Sequence, residues 1–209
     1  MKYVLVSILL ASCARERPLT VFAAASLQEL GDEVVAGWTN RTGRPVRVQY
    51  GASSLLARQI AEGAPCDLFI SADASWAAHV KPMSTREWIG NRLVVIGSGD
   101  LAADRIAMAA PEVPAGRLAV AALKRLGITP TSVIYGADVR DVLSKVALGA
   151  APVGLVYATD VDARVRVQQV LEERTRYIVA PITPSGAEFM GAVGEPWVME
   201  IAKRRGFEP

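Results

Sequence analysis

Two cysteines, Cys13 and Cys66, and one histidine, His79, are all the thiol and imidazole ligands in 209 residues. A zinc site built from such side chains wants about four of them at set spacings, so this chain does not carry one. A nucleophilic Cys66–His79 pair is compatible with the count, but no local pattern supports it. A buried, inert Cys66 is the expectation. Excess charge of one sign is equally scarce. Lys and Arg number 23 against 21 Asp and Glu, a formal net charge of +2. Nucleic-acid binding needs a dense basic stripe. The densest run, Lys203-Arg204-Arg205, suits the last turn of a helix instead, and no nucleic-acid partner is expected. Gly97-Ser98-Gly99 lacks the rest of a dinucleotide fingerprint, and no phosphate-loop lysine motif occurs. Gly51-Ala52-Ser53-Ser54 lacks the second glycine of a nucleophile elbow. With a single histidine, and no base beside Ser26 or Ser53, hydrolase chemistry is disfavoured. Neither a cofactor nor an enzymatic activity is expected. What the chain does have is apolar content, 51% hydrophobic against 21% charged. That suffices for one large core or two small ones and is too much for disorder.

The N-terminus reads as an export signal. Met1-Lys2 is a short basic start, and Tyr3 to Leu10 is apolar except for Ser7. The run is too short to span a bilayer, which takes about 20 residues, and fits a signal-peptide core. Leu10-Ala11-Ser12-Cys13 resembles the bacterial lipobox, in which cleavage precedes a lipid-bearing cysteine. The other reading is an ordinary signal with an incidental cysteine. Residues 1–12 are thus expected to be removed, with Cys13 acylated and 13–18 forming a polar tether to the membrane. Cys66 then has no intrachain partner in an oxidising compartment.

Along the mature chain, strand and helix patterns alternate. Leu19 to Ala23, Val46 to Tyr50, Asp67 to Ser71, Arg92 to Ile96, Pro152 to Tyr157 and Tyr177 to Ala180 read as strands. Ser26 has the position of a helix cap and stands at capping-box spacing from Glu29. Further helices are expected over Leu55 to Glu62, from Pro114 through Leu126, and over Val139 to Leu148, the last capped by Asp138 and stopped by Gly149. The tail from Gly186 to Gly206 reads as helical, broken at Gly194 and Pro196. Asp67 and Asp73 read as turn and cap residues, and Arg58 as the surface partner of Glu62. Alternating strands and helices imply an α/β fold with parallel sheets.

One local design recurs at Ser26, Ser53-Ser54, Ala115 and Val139: a strand ends, small residues follow, a helix begins. Helix N-termini expose N–H donors and a partial positive charge. In open α/β sheets, ligands bind beyond the carboxyl ends of strands, where such helix ends lie. Hydroxyls of Ser26, Ser53 and Tyr157 would add donors. Such a site binds an anion with no Lys or Arg. Serines also cap helices in proteins that bind nothing, so local pattern leaves both readings standing.

The same residues carry a family resemblance. Val21-Phe22-Ala23-Ala24-Ala25-Ser26-Leu27, Ser53-Ser54-Leu55-Leu56-Ala57-Arg58-Gln59-Ile60 and Gly63 through Asp73 resemble the molybdate-binding proteins of ABC importers. Pro111 to Gly116, Asp138-Val139-Arg140, Gly154 to Tyr157 and Arg205-Gly206-Phe207 continue the likeness in order along the chain. The resemblance implies a two-lobed periplasmic binding protein (type II) fold. Each lobe would hold a mixed, mostly parallel sheet, with lobe I from residues 19–92 and 179–209, lobe II from 93–178, and the ligand between them. It implies Ser26, Ser53 and Tyr157 as hydroxyl ligands, with Ala115 and Val139 giving backbone N–H. It further implies a monomer, on the extracytoplasmic face of the membrane, that hands molybdate or tungstate to an ABC permease. The metal would be held through its oxyanion oxygens. The segments between Ile96 and Pro111, and between Ala115 and Val139, are shorter than in the family pattern.

Molybdate is a dianion with four acceptor oxygens and no proton, so a matching site supplies donors only. A facing carboxylate would bury acceptor against acceptor. The candidate set has none, with Asp138 assigned to capping. Phosphate, partly protonated, would favour a site with an acceptor. Sulfate is separated from molybdate mainly by size, which sequence leaves open.

Overall fold

The computed structural model describes residues 17–209, so Cys13 and the expected signal sequence lie outside the described residues. Strand β1 (Leu19–Ala24) leads through a 3₁₀ turn (Ala25–Leu27) into helix α1 (Gln28–Thr42). Leu30, Val34 and Trp38 recur every four residues and form the buried face of α1, and Gly43, at φ 72°, ends it. Next come β2 (Val46–Gly51), α2 (Ser53–Ala61), β3 (Leu68–Ser71), α3 (Ala74–His79) and the long β4 (Arg86–Gly97). The second half repeats the plan with β5 (Arg105–Ala109), α4 (Pro114–Arg125), β6 (Ser132–Gly136), α5 (Val139–Ala147) and β7 (Val153–Tyr157). Strand β8 (Val167–Pro181) returns to the first half, where α6 (Pro184–Ala192) and α7 (Pro196–Arg204) close the chain.

All eight strands form one curled sheet in the order β2-β1-β3-β8-β4-β7-β5-β6. Its two ends are parallel triplets, each with its first strand in the middle: β1 between β2 and β3, and β5 between β6 and β7. Between them, β4 and β8 pair antiparallel, with register shifts that bend the pair. The cores divide accordingly. Leu93 to Ile96, β5, β7, α4, α5 and Leu171 pack together in one half. Ile89, Tyr177 and Val179 pack with β1, α1, α6 and α7 in the other. A third cluster around Phe22, Phe69 and Ile178 covers the opposite face of that first half. The expected lobe boundaries, after residues 92 and 178, lie inside β4 and β8.

The structure corrects several sequence expectations. The sheet is mixed, as the resemblance implies, with the β4–β8 pair antiparallel at its centre, but β4 begins at Arg86 rather than Arg92. Strand β8 begins at Val167, ten residues before Tyr177. Its early part, Val167-Gln168-Gln169-Val170, is exposed and has no period-two pattern; pairing with β4 makes it a strand. Strand β6 is an edge with mixed burial, which hides it from a hydrophobicity reading. Ser26 caps no helix and the capping box with Glu29 does not form. Arg58 lies over the Trp76 ring, 5.6 Å from its centroid, not in an ion pair with Glu62. Asp67 is a buried anchor rather than a turn residue, accepting from Arg17 at 2.6 and 3.0 Å, from the Thr20 amide and from the Thr183 hydroxyl. Burial opposes its charge, yet these donors hold its pKa below the usual value. Cys66 is buried, gives its thiol to the Leu68 carbonyl and is pushed up to about 12 by burial, while His79 is exposed. A thiol so hard to ionise is a poor nucleophile.

Candidate functional site

The carboxyl ends of β1, β2, β3, β5, β6 and β7 deliver their following residues to one cleft. Ala24, Ala25 and Ser26 line it after β1, Gly51 to Ser53 after β2, and Ala72 after β3. From the other half come Val113 to Ala115, Asp138 with Val139, and Tyr157. The cleft holds about 240 Å³ of empty space, its mouth included. All five ligands expected from sequence, Ser26, Ser53, Ala115, Val139 and Tyr157, are therefore on its wall. Small side chains dominate that wall, which lets a ligand reach the backbone.

Helices α2, α4 and α5 begin at the cleft, and their first amides have no intrahelical acceptor. Pro114 opens α4, so Ala115 carries that helix's first N–H. At α5 the Asp138 carboxylate accepts from the amides of Arg140 and Asp141, at 2.8 and 3.0 Å. Both amides use Oδ1 of the cap, and Val139 N–H is left over.

Each hydroxyl has a defined surrounding. Ser53 Oγ accepts the Ala72 amide at 3.0 Å, so its own proton is available to the cleft. Ser26 Oγ lies 2.7 Å from Tyr177 Oη. Neither serine has a base beside it. Tyr157 is 2% exposed, and its hydroxyl has no hydrogen-bond partner among the described residues. Thr175, its polar neighbour, gives its proton to the Ala72 carbonyl, and its own contact with the phenol offsets the effect of burial only in part. Burial pushes the Tyr157 pKa well above the ordinary phenol value, which keeps the proton on and the group a neutral donor. An unpartnered buried hydroxyl costs about 1–3 kcal/mol, a cost a bound acceptor would relieve. Among the described residues, no group of three or more His, Cys, Asp or Glu side chains could hold a bare metal ion.

Two arginines that sequence reasoning left without a role bridge the halves beside the cleft. Arg140, next to Val139 on α5, meets Glu29 of α1 at 2.6 Å and Asp160, after β7, at 3.0 Å. Arg117, two residues after Ala115 on α4, meets Asp73, the cap of α3, at 2.6 Å. Their closeness in sequence to the expected amide donors was the available signal; their acidic partners are far away in the chain.

A two-lobed α/β fold around a cleft of neutral donors defines a periplasmic-type binding protein. The sequence profile of the bacterial extracellular solute-binding protein family matches residues 19–188. The chain is 34% identical, over 231 aligned positions, to the molybdate-binding protein ModA of Escherichia coli, covering 93% of this chain and 90% of that one. The periplasmic molybdate-binding protein of Azotobacter vinelandii shares the fold, with a TM-score of 0.80 at 21% identity over 91% of this chain and 99% of that one. So does the sulfate-binding protein SubI of Mycobacterium tuberculosis, with a TM-score of 0.79 at 13% identity over 92% and 86%. The chain belongs to the bacterial extracellular solute-binding protein family.

Proposed function

We propose that this chain captures molybdate, and its near-isostere tungstate, outside the cytoplasm and delivers it to the membrane permease of an ABC importer. The observation that carries this reading is the buried Tyr157 hydroxyl, unpartnered on a cleft wall that offers Ser26, Ser53, Ala115 and Val139 as further donors and holds one carboxylate, Asp138, engaged in capping α5. Ser26 and Ser53 would give O–H, and Ala115 and Val139 would give N–H, so a dianion with four acceptor oxygens is held without a formal positive charge in contact. The ligand name comes from the relative 34% identical to this chain. The metal is cargo, held through its oxygens. Closure of the lobes over the anion would create the form that the permease recognises, and the protein would act as a monomer.

A lipid on Cys13 would attach four residues before Arg17, which Asp67 grips. Strand β1 starts at Leu19 and reaches the cleft at Ala24, so the start of β1 lies one strand length, roughly 20 Å, from the cleft.

Calorimetric titration of the chain starting after Cys13 tests the reading. Molybdate and tungstate are expected to bind and phosphate not to. Heat with sulfate alone would overturn molybdate and keep the oxyanion class. In the same assay Ser53→Ala is expected to weaken molybdate binding by about 1–3 kcal/mol; unchanged affinity would remove Ser53 from the site.

A further inference from the structure

Behind Ser26 lies a buried chain of polar groups. Tyr177 on β8 is fully buried and Asn91 on β4 nearly so. Asn91 Oδ1 accepts the Arg92 amide at 3.0 Å, which orients the side-chain amide: its NH₂ must face the other way. Asn91 Nδ2 then donates to Thr159 Oγ1 at 2.7 Å and to Tyr177 Oη at 3.2 Å. Tyr177 still has a proton to place, and burial keeps that proton on the phenol. Among the described residues the one other hydrogen-bond partner of its oxygen is Ser26 Oγ, at 2.7 Å. Were Ser26 to donate instead, the Tyr177 proton would be buried with no acceptor, the costlier arrangement. The chain therefore runs one way: Asn91 to Tyr177, Tyr177 to Ser26, Ser26 into the cleft.

We propose that Tyr177, oriented by Asn91, is a specificity-determining positioning residue that makes Ser26 an obligate donor and so sets the cleft against oxyanions that carry a proton. This inference rests on the molybdate reading above. A serine that accepts from Tyr177 has its own proton to place, and the cleft is where that proton meets an acceptor, so a ligand that also brings a proton competes with it for the same direction. Ser53, occupied by the Ala72 amide, is set the same way by backbone. Aligned hydrogen bonds in a buried chain also reinforce one another, which strengthens the donor at the end.

Tyr177→Phe keeps the ring and its edge contacts with Tyr157 and Phe207 and removes only the hydroxyl. The test compares wild type, Tyr177→Phe, Ser26→Ala and the double variant by calorimetry with molybdate and with inorganic phosphate at pH 7, with thermal melts as the folding control. Tyr177→Phe is expected to weaken molybdate about tenfold and to narrow the molybdate-to-phosphate ratio. Once Ser26 is alanine, Tyr177→Phe is expected to cost almost nothing more, because it acts through that hydroxyl. An unchanged ratio, or single effects that multiply in the double variant, would overturn the relay. Should Tyr177→Phe not fold, Asn91→Leu, neutral and similar in size, provides the second arm. It removes the amide that orients Tyr177, so its loss of affinity should largely vanish in the Ser26→Ala background, and a loss that persists there overturns the relay. No molybdate binding by wild type would instead overturn the functional reading, and the relay with it.

Discussion

Gly116→Ala is expected to cost about 3 kcal/mol or more of stability and to remove most of the ligand affinity. A Cβ built on Gly116 would sit 1.9 Å from the Ala110 carbonyl oxygen and 2.5 Å from that of Ala109. Both obstacles are backbone, at the end of β5 and in the turn after it, so no side chain can swing aside. Relief requires the first turn of α4 to move away from the sheet. That turn carries the Ala115 amide on the cleft wall and, one residue beyond the glycine, Arg117 with its bridge to Asp73. Donors displaced by about an ångström no longer match an oxyanion held from several sides. For a chain of this size the stability loss corresponds to a melting-point drop of roughly 6–12 °C. Circular dichroism melts and molybdate calorimetry on the same sample read both effects. A variant that melts and binds like wild type would show that α4 is not seated against the sheet as described.

Asp160→Asn is expected to remove a stability loss that wild type suffers between acid and neutral pH. The Asp160 side chain is fully buried, and neither oxygen has a hydrogen-bond partner within good geometry. Arg140 Nε is 3.0 Å away but poorly aligned, so the contact is ionic and incomplete. Burial raises the Asp160 pKa to about 7; Arg140 opposes the rise, while Glu29 and Asp138 add to it. The folded state therefore holds this proton where the unfolded chain, near the ordinary value of 3.8, has released it. The stabilisation is complete below about pH 4 and is lost as pH rises through about 7, on the order of 4 kcal/mol at most. Other carboxylates here, including Asp67 and Asp141, are held below their ordinary range and give the opposite slope at lower pH. Hence the difference between variant and wild type is the informative quantity. Urea unfolding at pH 5 and pH 8 should show the variant gaining on wild type at the higher pH, with Arg140 still paired to Glu29. Equal pH dependence would mean that Asp160 is ionised, or solvated, throughout.

How much of this was readable beforehand depended on how far the deciding partner lay along the chain. Pro114 opening α4, Asp138 capping α5, and Gly43 and Gly149 adopting positive φ at helix ends are local matters. They follow from the missing N–H of proline, the reach of a short carboxylate and the absent Cβ of glycine. The small-residue strand ends followed by helix starts were likewise visible, and through them Ser26, Ser53, Ala115, Val139 and Tyr157 as candidates. Ser26 marks where that reading stops. Its spacing to Glu29 is that of a capping box, but Tyr177, 151 residues on, donates to the serine oxygen, and Arg140, 111 residues on, takes the glutamate. The polar, exposed start of β8 is a strand because β4 lies alongside to pair with it. Sequence by itself determined where α4 and α5 begin and that their first amides are left over, because those preferences are settled within one turn of backbone. Tertiary structure alone decided that the donors meet in one cleft, which of them keep a free proton and which charges bridge its sides, because each depends on groups brought together only when β4 and β8 join the two halves of the sheet.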